Sequence, residues 1–130
     1  MTSKLFDDGL AMRKQVLGAD YVDKSLAAAD QYTLPLQELV TEYCWGAVWN
    51  RPGLPLKTRS LLNLGMLTAL NRPHELRIHI RGALNNGCTR EEIVETLLQT
   101  AIYCGVPAAL ESTRIAGALF KEIDGGTSAA

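Results

Sequence analysis

Helix-stopping residues cut this chain at short intervals, and the runs between the cuts carry a helical period. Gly18 follows the run 3–17, "RPG" occupies 51–53, Asn71 and Pro73 interrupt at 71–73, and Gly87 and Gly105 each close a run. Few stretches alternate with a period of two, so strands have little support in the pattern. Pro35, Pro73 and Pro107 fall in first turns, where a missing N–H costs nothing. The expectation is an all-α fold: a compact single-domain bundle of about six helices joined by short loops, packed ridges into grooves. The helices are expected over 3–17, 21–30 (weaker in pattern), from Thr33 to the "RPG", from about Leu56 to Leu70, from Arg72 towards Gly87, from Thr89 to Gly105, and from Pro107 to about Ile123. Thr33 and Asn71 are expected N-caps, and Thr89 with Glu92 forms a T-x-x-E capping box. The domain is expected to span 1–124, with 125–130, "GGTSAA", as a flexible tail.

Bulk properties narrow the function classes. With 130 residues, 47% hydrophobic and 21% charged, the chain can build a core. A net charge of −1 and a pI near 6.1 give no electrostatic footprint for nucleic acid or an anionic membrane. Three widely spaced cysteines without a C-x-x-C argue against a disulfide framework and a zinc site, and for a reducing compartment. The N-terminal stretch lacks a signal-peptide apolar core, and "LLNLGMLTAL" (61–70) is about half of a membrane span, so a cytoplasmic protein with no membrane partner is expected. That run is apolar nearly all round, which predicts burial on several sides and burial beyond one subunit. Phosphate-loop, dinucleotide, zincin and nucleophile-elbow patterns are absent.

Two clusters can carry chemistry. In "RPHELRIHIRGALNNG" (72–87), Glu75 and His79 are i, i+4 neighbours at the margin of the stripe Leu76, Ile80, Ala83, Leu84. The plain alternative is a half-buried histidine held by a glutamate. Arg77 and Arg81 are expected to face water, and His74 to be exposed, which leaves too few ligands for a metal. In the second cluster, Glu38, Glu42, Trp45 and Trp49 share a helix face. A carboxyl beside two indoles suits a proton donor; the alternative is core tryptophans with a solvated glutamate. Cys44 is expected as a small buried hydrophobe. Arg59 precedes the most apolar helix and needs an anion, from the protein or from a substrate. Asn63 is either a satisfied core amide or a donor to a ligand, and Arg51 either lines the same region or faces water.

The strings "WGAVWNRPGL" (45–54) and "RSLLNLGMLTALNR" (59–72), with "VLGADYVD" and "EEIVETLLQTAIYCGVPAA", resemble the carboxymuconolactone decarboxylase family, within the alkylhydroperoxidase D-like superfamily. The generic pattern H-x-x-x-A-x-x-x-G-x-T-x-x-E-I, from His79 to Ile93, marks the superfamily alone. Its peroxidase branch carries a C-x-x-C before the histidine; here Arg72 and Glu75 stand at those places, and Ser60 where that branch has a glutamate. Thiol redox chemistry therefore lacks its sulfurs.

The resemblance implies cofactor-independent decarboxylation of 4-carboxymuconolactone to 3-oxoadipate enol-lactone, in aromatic acid breakdown. The lactone acts as its own electron sink, so no cofactor and no metal are expected. It also implies a homo-oligomer, a hexamer built as a trimer of dimers. The site residues expected from the chemistry are His79, Glu42 and Glu75 as catalytic groups, with Glu75 raising the pKa of His79. Arg59, Arg51, Asn63, Trp45 and Trp49 are expected to bind substrate. The competing readings are a related decarboxylase or isomerase on another lactone or oxo acid, and a non-catalytic helical binding or assembly protein.

Overall fold

In a computed structural model that describes residues 3–126, every regular element is helical. The helices fall into two units that part between Leu56 and Lys57.

The first unit opens with α1, Lys4–Leu17. Ser3 caps it by accepting from Phe6 N–H at 3.1 Å, and Gly18 ends it at φ 94°, a conformation that only glycine adopts cheaply. Its buried residues, Gly9, Arg13, Val16 and Leu17, form one stripe at helical spacing. Helix α2 covers Ala19–Ala27, two residues earlier than the pattern suggested. Then α3, Leu34–Leu39, runs without interruption into a π-helical stretch, Val40–Trp49, a widened ladder that no propensity argument foresaw. The Thr41 hydroxyl donates to the Gln37 carbonyl at 2.7 Å, competing for the acceptor that the Thr41 N–H would use in an α-helix. Thr33 does not cap α3 as expected: its hydroxyl accepts from Asp30 N–H, while Asp30 takes the Tyr32 and Thr33 N–H groups at 2.9 and 3.1 Å. The aspartate wins because its side chain closes the turn locally.

Helix α1 packs on the π stretch at glycine-to-glycine range. A Cβ added at Gly9 would lie 2.7 Å from the Gly46 nitrogen and collide with the Thr41 carbonyl. One added at Gly46 would collide with the Leu5 carbonyl.

The second unit holds α4 (Leu56–Ala69), α5 (Pro73–Asn85), α6 (Arg90–Tyr103) and α7 (Val106–Gly125). The last helix continues through Gly125, and the rest of the expected tail, 127–130, lies outside the described residues. The core is Leu64, Leu76, Ile80, Ala83, Cys88, Ile93, Leu97, Ala116 and Leu119. Each large side chain in it contributes about 1.5–3 kcal/mol by leaving water. The capping box forms as expected: Thr89 Oγ1 accepts from Glu92 N–H at 3.0 Å, and Glu92 accepts from Thr89 N–H at 2.8 Å. Asn71 does not cap α5. It sits at φ 58° and closes α4 instead, and Arg72 takes the cap position without a side-chain bond.

Polar contacts fix the packing of this unit. Thr68 and Ser112 share a buried hydrogen bond at 2.9 Å, and Asn86 Nδ2 donates to the buried Ser60 hydroxyl at 2.9 Å. Arg90 grips Asp124 through two bonds, at 2.9 and 2.7 Å, and lies over the Phe120 ring. Arg77 does not face water alone, as expected, but pairs with Glu122 at 2.5 Å, because α7 brings that acid to its side of α5.

Helix α4 departs from the expectation of burial on several sides. Only Ser60, Leu64 and Thr68 are buried, at i, i+4 and i+8, with Leu61 and Leu67 partly buried against the core, while Leu62, Met66 and, just past the helix, Leu70 are exposed. No helix among the described residues is long and apolar enough to cross a membrane.

Candidate active site

His79 stands on α5, one turn after the exposed Glu75, and its ring is largely desolvated. Burial disfavours the charged imidazolium and lowers the pKa from 6.5 to about 4; the Glu75 charge pushes upward but is outweighed. Glu75 thus acts in the expected direction, yet the net shift is opposite to the one expected. The ring is neutral near pH 7.

Across from it on α4, Asn63 Nδ2 lies 3.4 Å from His79 Nδ1. With the amide nitrogen as donor, Nδ1 accepts, and the neutral ring carries its proton on Nε2. A neutral Nε2–H can donate a hydrogen bond to an oxygen that gains charge, without releasing a proton first. Arg59, one turn before Asn63, is half-buried on the same helix. His79, Glu75, Asn63 and Arg59 thus all belong to the second unit, and the structure brings Asn63 and His79 together.

The other predicted residues belong to the first unit. Trp45 and Trp49 are 3% and 4% exposed, and their rings stack with centroids 4.7 Å apart and planes at 23°. Glu42 is half-buried on the same π stretch, while Glu38 and Arg51 are exposed. Cys44 is exposed rather than buried as expected; its thiol stays desolvated enough that its pKa rises, against smaller opposing effects of the Arg13 charge and a Trp49 contact.

A cleft of about 500 Å³ on the second unit lies along α4 and α6 and is lined by Leu61, Leu62, Met66, Gln99 and Tyr103. It holds none of the predicted site residues. Its lining is mostly apolar, and no acid and imidazole converge on it.

Sequence reasoning passed over Arg13 and Thr41. Arg13 is buried on α1 and donates through Nη1 to Thr41 Oγ1 at 3.1 Å. A signal existed: Arg13 falls in register with Gly9 and Val16 at i, i+4 and i+7, so it stands in the stripe that must face inward.

These features describe an all-helical protein, over its described residues, with a half-buried neutral imidazole and no paired thiols. The sequence profile of the carboxymuconolactone decarboxylase family matches residues 35–118. The chain is 39% identical over 118 residues to the 4-carboxymuconolactone decarboxylase of Acinetobacter baylyi, covering 91% of this chain and 88% of that one. It is 50% identical over 109 residues to the nitrosuccinic acid decarboxylase npaB of Metarhizium robertsii, covering 84% of this chain and 76% of that one. A crystal structure from Burkholderia xenovorans, described as that of a carboxymuconolactone decarboxylase candidate, superposes with a TM-score of 0.59 at 20% identity, over 95% of this chain and 97% of the other; that likeness speaks for the fold. The chain belongs to the carboxymuconolactone decarboxylase family, and its relatives place it among the carboxy-lyases.

Proposed function

We propose that this protein catalyses the cofactor-independent decarboxylation of 4-carboxymuconolactone to 3-oxoadipate enol-lactone. The observation that supports this most directly is the half-buried, neutral His79 with Asn63 at its Nδ1, in a chain with 39% identity to a decarboxylase of that name.

The chemistry divides into three tasks. The bond from the ring carbon to the departing carboxylate breaks, CO₂ leaves, and the electron pair spreads through the ring double bond onto the lactone oxygen. His79 Nε2–H donates to that oxygen as it gains charge, and Asn63 holds the ring in the tautomer that can do so. Glu42 delivers a proton to the α carbon, which completes the double-bond shift. Arg59 and Arg51 neutralise substrate carboxylates, and the Trp45–Trp49 stack keeps water away, which favours loss of a charged group. Glu75 orients His79 from one turn away. The protein works as a homo-oligomer, a hexamer, whose contacts cover the exposed apolar face of α4.

The 50% identity to a nitrosuccinic acid decarboxylase favours a second reading on the same scaffold. Nitrosuccinate is also a dicarboxylate whose leaving carboxylate is attached to a carbon bearing an electron sink, there a nitro group. The same hydrogen-bond donor then stabilises a nitronate oxygen, and the second carboxylate is again a spectator.

Parallel assays test both readings. The protein is mixed with 4-carboxymuconolactone made in situ and, separately, with nitrosuccinate, and CO₂ release is followed. A kcat/KM at least tenfold higher on the lactone is the expected result. A preference for nitrosuccinate would replace the substrate but keep the chemistry, and no CO₂ from either would end the proposal.

A further inference from the structure

One buried charge stands outside the site just described. Arg13 is 6% exposed, and among the described residues its one hydrogen bond joins Nη1 to the fully buried Thr41 hydroxyl. Its Nε–H is buried with no acceptor, and among the described residues no carboxylate pairs with the guanidinium. On these helices Asp8 pairs with Lys4 and Asp23 with Lys14. The titratable groups whose charge Arg13 feels are a phenol and a thiol, Tyr21 and Cys44.

A guanidinium cannot shed its proton, so burial leaves a full positive charge in a poorly solvated place. Such a charge is strongly destabilising unless an anion meets it. The geometry also says which anion. Thr41 occupies Nη1, on the side of the group facing away from Nε–H. What remains is the Nε–H/Nη2–H edge, two parallel donors at the spacing of the two oxygens of a carboxylate. The two groups whose charge reaches the guanidinium are themselves at the surface: Cys44 is exposed and Tyr21 is 36% exposed.

We propose that the Nε/Nη2 edge of Arg13 is a receptor for the carboxylate of a small organic acid, with Thr41 fixing the plane of the guanidinium. The proposal rests on the reading of the chain as a decarboxylase of dicarboxylates, since a spectator carboxylate needs a holder, but not on which acid is the substrate. It gives that carboxylate a guanidinium held in place, through Thr41, before the acid arrives.

The test uses the arginine Nε–H resonances of the full-length, ¹⁵N-labelled protein, with the Arg13 signal assigned by its loss in Arg13→Lys. Succinate is titrated as the probe, with succinamide as the neutral control. The expected result is a saturable shift of the Arg13 signal with succinate and none with succinamide, and succinate binding weakened about tenfold or more in Arg13→Lys, which replaces a planar fork by a point charge. A signal indifferent to succinate overturns the proposal. So does one that moves on protein dilution instead, which would assign the counter-charge to a carboxylate of a second copy. Should the variant fail to fold, the wild-type titration still decides. A succinate-dependent shift without turnover of either acid would sink the functional reading and leave this one standing. Turnover with unchanged KM in a folded Arg13→Lys would sink this one alone.

Discussion

Burial sets the protonation of His79, and stability must follow it. The folded-state pKa, about 4, lies below the 6.5 of a free imidazole, so between those values the unfolded chain binds the extra proton. Stability is therefore unaffected by this group above about pH 6.5 and declines as pH falls towards 4, by about 3 kcal/mol in total. Thermal melts of the wild type and His79→Gln across pH 4 to 7 check this: the variant is expected to lose less Tm on acidification. At pH 7, His79→Ala is expected to lower kcat at least a hundredfold with helix content intact by circular dichroism, the scale of one lost oxyanion donor. Near-normal turnover would remove His79 from the mechanism. The pairing of Glu75 with His79 was legible in the sequence because i, i+4 neighbours follow from helix geometry alone. The direction of the shift was not, because it depends on how deeply the ring is buried, which is a property of the tertiary fold. The same division holds for caps. Thr89 and Glu92 satisfy each other locally, and the capping box was readable, whereas Thr33 lost its role to Asp30, and Asn71 turned left-handed to close the preceding helix.

The element hardest to foresee is the π-helical stretch, Val40–Trp49. The β-branched, aromatic and glycine residues there are weak helix formers whose propensities say nothing of the ladder, and the Thr41 hydroxyl sits between the Gln37 carbonyl and the Arg13 guanidinium. Thr41→Val keeps the shape and removes both contacts. It is expected to destabilise the fold by about 1–3 kcal/mol, since a buried guanidinium loses its acceptor. Urea melts measure this directly. Gly9→Ala tests the close approach of α1 and is expected to cost about 1–3 kcal/mol or more by overpacking, while Gly53→Ala, where an added Cβ meets nothing, is the control. If Gly9→Ala melts like the wild type, the glycine-to-glycine crossing is not what joins these elements. Helix boundaries elsewhere followed the punctuation closely: α1 ended at Gly18 and α6 just before Gly105. Glycine and proline act through backbone geometry, which is written residue by residue.

At the scale of the whole molecule, the apolar side chains outnumber the places the chain provides for them. Leu62 and Met66 on α4, Leu70 just after it, and Leu98, Ile102 and Tyr103 on α6 are all exposed. Such an area supports the hexamer proposed above. Light scattering after size exclusion is expected to give a multiple of the 14.2 kDa chain, and Leu98→Lys with Ile102→Lys is expected to dissociate it. A wild-type monomer at micromolar concentration would overturn that. The inward side of α4 bears on this surface. Its contacts are a hydroxyl at Ser60 held by Asn86 and a hydroxyl at Thr68 held by Ser112, two directional anchors eight residues apart. Greasy surfaces can slide past one another and settle at several angles, but a rod pinned at two such points cannot roll about its axis. The outward leucines and methionine therefore keep one fixed bearing, so whatever meets them encounters a single, repeatable shape.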